Sequence, residues 1–511
     1  MFARVMSYGL EGMEPFEVTV EVNQSGGIPS LEIVGLPDAS VKEAKERVRA
    51  ALNNSGLKLP PAKIVVNLAP ANVRKIGSMY DLPIALAMLI GGGMFDQAVA
   101  DGIIFVGELA LDGRLRQVPG ALPGALFARE RHVKAMLLPL ENAQEVACVD
   151  RVPLLAASTL RQVADHLTGV KAIEPLKPVS YESLRAPVAG AYDLKFVRGQ
   201  YEAKRVLEIA AAGGHNMLMV GPPGSGKTLL ARCLPGILPD MSFDEALEAT
   251  RIHSAAGRLG AGSAMLTERP FRAPHHTASA VSLVGGGRDA SPGEISFAHH
   301  GVLFLDELPE YDKRVLEALR QPLEDGQVAI ARVHARRVYP ARVMLVAAMN
   351  PCKCGYYGQD GGRCKCSEAE VVKYQSRISG PLLDRIDLRI RVGEVPIEAL
   401  TLNAPMAESS DAVRERVQAA RTRQLTRYGE SGIFTNAQLD NELMRKYCKL
   451  TPDADAVLMF ETKRHGMTAR AHFRVLRVAR TIADLAVSDI IEKEHVAEAV
   501  RYRMLDVATW A

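Results

Sequence analysis

Residues 217–234 read MLMVGPPGSGKTLLARCL: a four-residue apolar run, an eight-residue turn rich in glycine and proline, and the opening of an apolar helical pattern. That succession describes a buried strand, a phosphate-binding loop and a helix, and it decides the middle of the chain. Gly221, Pro222, Pro223, Gly224, Ser225 and Gly226 form a turn whose backbone N–H groups can approach phosphate oxygens. Lys227 can then reach the terminal phosphates, and the Thr228 hydroxyl can complete a magnesium shell. A second apolar run, Val302 to Leu305, ends in Asp306 and Glu307. It supplies one carboxylate for the metal and one to polarise an attacking water. The two elements together imply ATP and Mg2+ as cofactors and hydrolysis as the reaction; an incidental glycine turn would not need the second.

Outward from this loop, residues 192–395 alternate strand and helix patterns, as a doubly wound parallel sheet with its ligand at the strand C-termini would. Residues 1–170 mix strand-like runs (Phe16 to Val22, Ile64 to Leu68, Ile103 to Val106, Ala135 to Leu138) with helical ones, an α/β pattern. Ser40 and Glu43 have capping-box spacing, and Val41, Ala44, Val48, Ala51 and Leu52 repeat on one helical face that reads as core. Residues 171–191 form a linker, with three prolines in EPLKPVSYESLRAPVAGA (174–191). Residues 396–511 follow a short Pro/Ser-bearing link (403–410) with five stretches of helical spacing, a bundle pattern.

The chain of 511 residues, 48% hydrophobic, has room for about three domains with packed cores. No stretch is long and apolar enough for a membrane span, and the N-terminus lacks a signal-peptide core, so the expectation is a cytoplasmic protein with no membrane partner. A net charge of +3 is too small to imply nucleic acid by itself, so any basic surface must be local. Seven cysteines in so long a chain suggest reduced thiols or a metal site rather than a disulfide framework.

Further motifs refine the reading. The strand-like Val343 to Ala347 leads to Asn350, which resembles the water-positioning sensor 1 of AAA+ ATPases. GPLLDRIDL (380–388) resembles the place where AAA+ helicases carry an arginine finger, which would be Arg385. TARAHFRVLR (468–477) places Arg470 at a helix start in a pattern like sensor 2. With RPFRAPHHTAS (269–279), PGEISFAHHGVLFLDE (292–307) and AAMNPCKCG (347–355), these motifs resemble the magnesium chelatase-like AAA+ ATPases of the ComM/YifB family along nearly the whole chain. The resemblance implies an N-terminal domain of Lon-protease-like (ribosomal S5 domain 2-like) α/β fold, a central AAA+ P-loop NTPase and a C-terminal helical bundle. It also implies a homo-oligomer, a hexamer, acting on branched or single-stranded DNA as a branch-migration helicase in transformation or recombination. A chelatase-like motor that remodels a protein with partner subunits is the alternative; the extra N-terminal domain argues against it.

Residues 106–142 resemble the end of a Lon proteolytic domain, but the serine–lysine dyad is missing. Alignment of 74–89, RKIGSMYDLPIALAML, puts Asp81 near the expected serine, and PGALPG (119–124) occupies the region of the lysine. Without nucleophile and base, covalent catalysis has no evident route; Ser78 is the one neighbour that could serve a displaced dyad.

Arg332, His334 and Arg336 alternate, so an extended strand would show them on one face, with Arg337 adding charge. This segment reads either as a solvated strand face or, given the hairpin that related ATPases carry before sensor 1, as a DNA contact. The pairs His275–His276 and His299–His300 read as structural rather than metal-binding. Glycine-rich 284–288 reads as an insertion loop. Cys352, Cys354, Cys364 and Cys366 offer four thiolates suited to zinc, although single-residue spacings are tighter than usual; a thiol-lined turn or a redox-sensitive pair remain open.

Overall fold

Apolar alternation at Ala3, Val5, Val18, Val20 and Val22, all buried, folds the first 25 residues into a hairpin that turns at Gly12 with φ 70°. The computed structural model describes residues 1–185, 192–332, 335–359, 362–395, 406–429 and 431–503. They form two units: Met1–Arg185 with Ala246–Thr267, and Ala186–Glu245 with Glu268–Ala511.

The first unit is built on a seven-stranded mixed sheet in the order Ser30–Val34, Lys63–Ala69, Glu14–Ser25, Phe2–Glu11, Ile103–Phe105, Ala135–Pro139, Leu154–Ala157. Its last four strands pair in parallel; the first hairpin and its pairing with Lys63–Ala69 are antiparallel. Helix Ala39–Asn54 buries Val41, Ala44, Val48, Ala51 and Leu52, the face expected from its spacing. Its cap differs from the expected Ser40–Glu43 box. The helix starts two residues earlier, and Asp38 accepts from the Val41 N–H. A carboxylate one helical turn upstream satisfies that donor, leaving no role for a Ser40 cap.

Residues 246–267, expected to continue the ATPase stretch, instead complete the first unit. Leu247 packs on its core, the Gly120 N–H donates to Ser254 O at 2.9 Å, and the Gln117 side chain donates to Leu259 O at 3.3 Å. The stretch read as ATPase is thus interrupted within the first turn of helix Phe243–Ala255.

The second unit carries a five-stranded parallel sheet ordered Phe271–Arg272, Val302–Leu305, Met344–Met349, Met217–Val220, Leu388–Arg391. All side chains of Val302–Leu305 and Met344–Met349 are buried, as expected of a sheet covered on both faces. Helices Ser410–Tyr428, Asn441–Tyr447, Pro452–Arg464, Ala469–Leu485 and Lys493–Arg503 follow. Val417, Ala479 and Val496 from these helices share one apolar core with Met219 and Val346 of the sheet.

Candidate nucleotide site

The carboxyl end of Met217–Val220 opens into the loop, and helix Lys227–Ile237 begins at its end. Gly224 and Gly226 have φ 78° and 90°, the left-handed backbone that lets successive N–H groups face one concavity. Lys227 Nζ donates to the carbonyls of Gly221 and Pro222, both at 2.8 Å, and lies 3.3 Å from Asn350 Oδ1. Burial draws its pKa down to about 8, against the opposing pull of Asp306 and Glu307. A phosphate anion beside it would favour the ammonium form and raise that value.

Asp306 and Glu307 follow directly on the buried strand Val302–Leu305. Thr228 Oγ1 donates to Asp306 Oδ2 at 2.6 Å, so the hydroxyl and carboxylate expected to hold magnesium are already together. The other Asp306 oxygen accepts the Glu307 N–H at 2.9 Å. Glu307 has φ 52°, ψ 46°, a left-handed conformation uncommon for a side-chain-bearing residue. Such strain costs on the order of 1–3 kcal/mol and concentrates at functional positions. Pro223, Gly224, Gly226, Lys227, Thr228, Asp306, Glu307 and Asn350 line one cleft. These donors fit a magnesium nucleotide: a dipolar loop and lysine for the phosphates, Thr228 and Asp306 for the cation, Glu307 for the water.

Arg385 and Arg470 lie elsewhere. Asn216, just before the strand Met217–Val220, donates through Nδ2 to Arg385 O at 2.9 Å and accepts from the Leu388 N–H at 3.0 Å. Arg385 therefore sits at the amino end of the strand whose carboxyl end opens the phosphate loop, about 13 Å away over four residues. Its buried guanidinium pairs with Glu324 and donates to Pro381 O at 2.7 Å. Arg470, exposed, approaches the other oxygen of Glu324 at 3.6 Å. Beside them Arg474 pairs with buried Asp387, which also faces His215 at 3.5 Å.

The four cysteines converge. Sγ separations are 3.3 Å (Cys352–Cys354), 3.5 Å (Cys354–Cys364) and 3.8 Å (Cys352–Cys364), and all four sulfurs lie within 4.8 Å of one another. Tetrahedral Zn–S bonds of about 2.3 Å would set sulfurs about 3.8 Å apart, so the cluster has the size of a four-thiolate site. Burial opposes the Cys354 thiolate, but backbone N–H groups of Tyr356 and Lys365 and the adjoining thiols outweigh it and bring the pKa to about 6. The turn also abuts the phosphate loop: a Cβ on Gly355 would lie 2.5 Å from Pro223 Cδ.

Gln327–Arg332 and Ala335–Pro340 pair as the expected hairpin. Arg336 is exposed, and Arg337 is engaged by the Asp289 carbonyl. His334 and the Arg332 side chain lie outside the described residues. In the first unit Asp81 is fully buried and gripped by Arg47 (Nε–Oδ2 2.7 Å, Nη2–Oδ1 2.9 Å), while Ser78 Oγ bonds Glu108. Lys75 Nζ is bound to the Pro70 and Val73 carbonyls.

Two contacts, one at the phosphate loop and one at the opposite end of the sheet, were not readable in the sequence. His276 Nδ1 lies 3.3 Å from Glu307 Oε2, and Glu324 bridges Arg385 and Arg470. The first follows from the sheet register. Arg272 pairs with Leu303 in parallel, and His276 and Glu307 each lie four residues beyond.

Models of known families match three stretches. Magnesium chelatase, subunit ChlI, covers residues 193–400; subunit ChlI of Mg-chelatase covers 20–142; and the subunit ChlI C-terminal model covers 407–503. The chain is 46% identical to YifB of Escherichia coli K12 over 97% of this chain and 96% of that protein. The protein belongs to the magnesium chelatase-like ComM/YifB family. It is also 42% identical to the competence protein ComM of Haemophilus influenzae over 98% of this chain and 97% of that one. A more distant similarity, 24% over 68% of this chain and 44% of the relative, is to the DNA replication licensing factor mcm7-A of Xenopus laevis. The matches run across both units, and the candidate nucleotide site lies inside the 193–400 match. Among the described residues no helix is long and apolar enough to cross a membrane.

Proposed function

We propose that this protein is a ring-forming ATPase, a hexamer, that couples ATP hydrolysis to movement of DNA strands, acting in branch migration during DNA uptake or recombination. The observation that carries the assembly is the place of Arg385 and Arg470. Both lie at the wrong end of the sheet to serve their own phosphate loop, yet Arg470 is exposed and Arg385 is held beside it by Glu324. Arginines in that position gain a nucleotide only from a neighbouring copy.

Within one subunit the geometry supports one division of labour. Lys227 releases the Gly221 and Pro222 carbonyls to bind terminal phosphates, and Thr228 and Asp306 hold the cation, which supplies charge neutralisation there. Glu307 accepts a proton from water and Asn350 orients that water, while the neighbour's counterpart of Arg385 stabilises the charge that develops. DNA is the favoured cargo because of the exposed Arg336, the basic hairpin on which it stands, and the relatives named for competence and replication licensing. Gripped by Arg47, the Asp81 carboxylate is unavailable as a nucleophile, and the first unit serves as a Lon-like scaffold rather than a protease. The four cysteines hold a structural zinc ion; metal analysis that returns no zinc, with four alkylatable thiols, would remove it.

The test is strand displacement and four-way junction migration by the unmodified protein and by Glu307→Gln. Junction movement by the unmodified protein alone supports the reading. Assembled rings that neither move junctions nor gain ATPase activity from DNA would turn the assignment towards a protein-remodelling motor.

A further inference from the structure

At the amino end of the second unit's sheet, beside Asn216, lies a cavity of about 730 Å³ whose walls are rich in arginine. Arg470, Arg474 and Arg477 stand on one face of helix Ala469–Leu485, at intervals of four and then three residues, and Arg385 lines the same cavity. Arg474 is taken up by buried Asp387. Arg477 Nε is buried and meets no acceptor among the described residues. Arg385 and Arg470 share a single carboxylate, that of Glu324.

Glu324 satisfies this pair incompletely. Its Oε2 bonds Arg385 Nη2, while Arg385 Nε is buried without an acceptor among the described residues. Its Oε1 lies 3.6 Å from Arg470, beyond hydrogen-bond length. A guanidinium presents parallel N–H groups as a fork to two oxygens of one anion, and a phosphate brings a third oxygen and more charge than a carboxylate. The donors here therefore exceed what Glu324 uses. Its side chain is also half-exposed, at the end of the short helix Arg320–Asp325, so it turns out to water with little desolvation to reverse. Arg385 is buried and tied to Pro381 O, which keeps the guanidinium in place when the carboxylate leaves.

We infer, on the reading that Arg385 and Arg470 reach a neighbouring copy's nucleotide, that Glu324 is a displaceable stand-in for the terminal phosphate of that nucleotide. In the free subunit it holds the two guanidinium groups together, and on assembly the phosphate takes its place. Carboxylate and phosphate compete for the same nitrogens, so Glu324 opposes nucleotide-driven assembly without taking part in the chemistry of the assembled site. Removing its charge while keeping its size favours assembly. A purely structural ion pair, or a carboxylate acting on substrate, would respond with a loss instead.

The experiment measures steady-state ATP hydrolysis per subunit against protein concentration at saturating ATP, with sedimentation velocity over the same range in a slowly hydrolysed ATP analogue. Full-length unmodified protein is compared with Glu324→Gln, Asp325→Asn and Arg385→Ala. Asp325 is exposed and lines the same cavity, and it pairs with no arginine among the described residues, so Asp325→Asn carries the change in charge without the contact. Glu324→Gln should reach half its limiting rate at about one-tenth of the concentration that the unmodified protein needs, with plateau kcat within about twofold, and assembly should shift equally in the analogue. Asp325→Asn should stay within about twofold of the unmodified protein in both. A half-saturating concentration that Glu324→Gln lowers by less than about twofold, or raises, overturns the inference, as does an equal fall with Asp325→Asn. A plateau kcat reduced more than about twofold also overturns it, since Glu324 would then belong to the chemistry or the fold. So does a single sedimenting species at every concentration with and without nucleotide, which leaves no assembly step to oppose. Arg385→Ala reads the other assumption: if its plateau rate equals that of the unmodified protein, the trans-acting arginine fails whatever Glu324 does.

Discussion

Replacing Gly355 by alanine should disable the nucleotide site from outside it. Gly355 lies in the cysteine turn with φ 90°, and a Cβ there would stand 2.5 Å from Pro223 Cδ and 2.7 Å from Cγ. Ordinary contact begins near 3.4 Å, so turn and loop must part by the difference, about 0.9 Å. Neither side yields cheaply: Pro223 is a ring within the phosphate loop, and Gly355 lies between the pair Cys352 and Cys354 and the pair Cys364 and Cys366. Misplacement of about 1 Å can cost on the order of a hundredfold in rate, near 2.7 kcal/mol, and the left-handed backbone adds roughly 1–2 kcal/mol against folding. Gly362→Ala separates the two contributions. Gly362 has φ 64° and nothing within 4 Å, so it carries the backbone penalty without the collision. Steady-state ATPase assays with melting curves should show both variants destabilised and only Gly355→Ala slowed by one to two orders of magnitude. Equal ATPase rates for Gly355→Ala and Gly362→Ala would refute the claim that the cysteine turn sets the phosphate loop.

Other outcomes follow from the same geometry. Lys227→Ala and Arg385→Ala should each be nearly inactive alone, since a trans-acting arginine contributes about 10³ to 10⁵ in rate; mixing them before assembly should restore measurable ATPase activity, and an inactive mixture would place Arg385 in its own subunit's chemistry or outside catalysis. Glu245 is buried, which by itself would raise its pKa, but Arg269 at 2.8 Å holds it down at about 2 from 4.5. A depressed carboxylate stabilises the fold fully above its unfolded value and loses that contribution as pH falls through the folded one. About 3 kcal/mol should therefore disappear between about pH 4.5 and 2. Glu245→Gln should flatten that part of an acid-unfolding curve; an unchanged slope would show that the pair carries no such linkage. Arg47→Ala leaves the Asp81 carboxylate buried without its partner and should cost about 3–5 kcal/mol in chemical denaturation, while Glu43→Ala, whose exposed carboxylate lies 3.8 Å from Arg47, should cost less than about 1.

Local order along the chain made the phosphate loop and the two candidate carboxylates beside it readable. Gly221 to Thr228 lie between a strand and a helix in sequence, and Asp306 and Glu307 end a strand, so no distant partner had to be known. The same holds for helix Ala39–Asn54, whose buried face is periodic. Its cap was misread because Asp38 and Ser40 both offer side-chain acceptors and only the backbone path chooses between them. The first strand, Phe2–Glu11, passed unnoticed; its alternation is plain at Ala3 and Val5, but Met6 to Tyr8 blur the period. Contacts set by pairing were hidden altogether. His276 reaches Glu307 because two strands run parallel in a particular register, and a histidine pair in a loop carries no mark of that. Glu324, which gathers Arg385 and Arg470, has an unremarkable sequence neighbourhood.

The return of residues 246–267 to the first unit has a consequence for gene architecture. Glu145, buried, accepts from the Leu122 N–H at 3.0 Å and the Asn142 amide at 3.0 Å, and its third donor is Ser254, more than a hundred residues downstream. A reading frame that stops at residue 185 therefore encodes an unfinished protein, with a buried carboxylate short of a donor and Gln117 without its Leu259 and Gly260 acceptors. Recombination between relatives could not exchange the N-terminal part as a simple cassette. Any viable chimera would have to transfer two separate coding segments from the same parent, so the two halves of this gene are expected to share one ancestry.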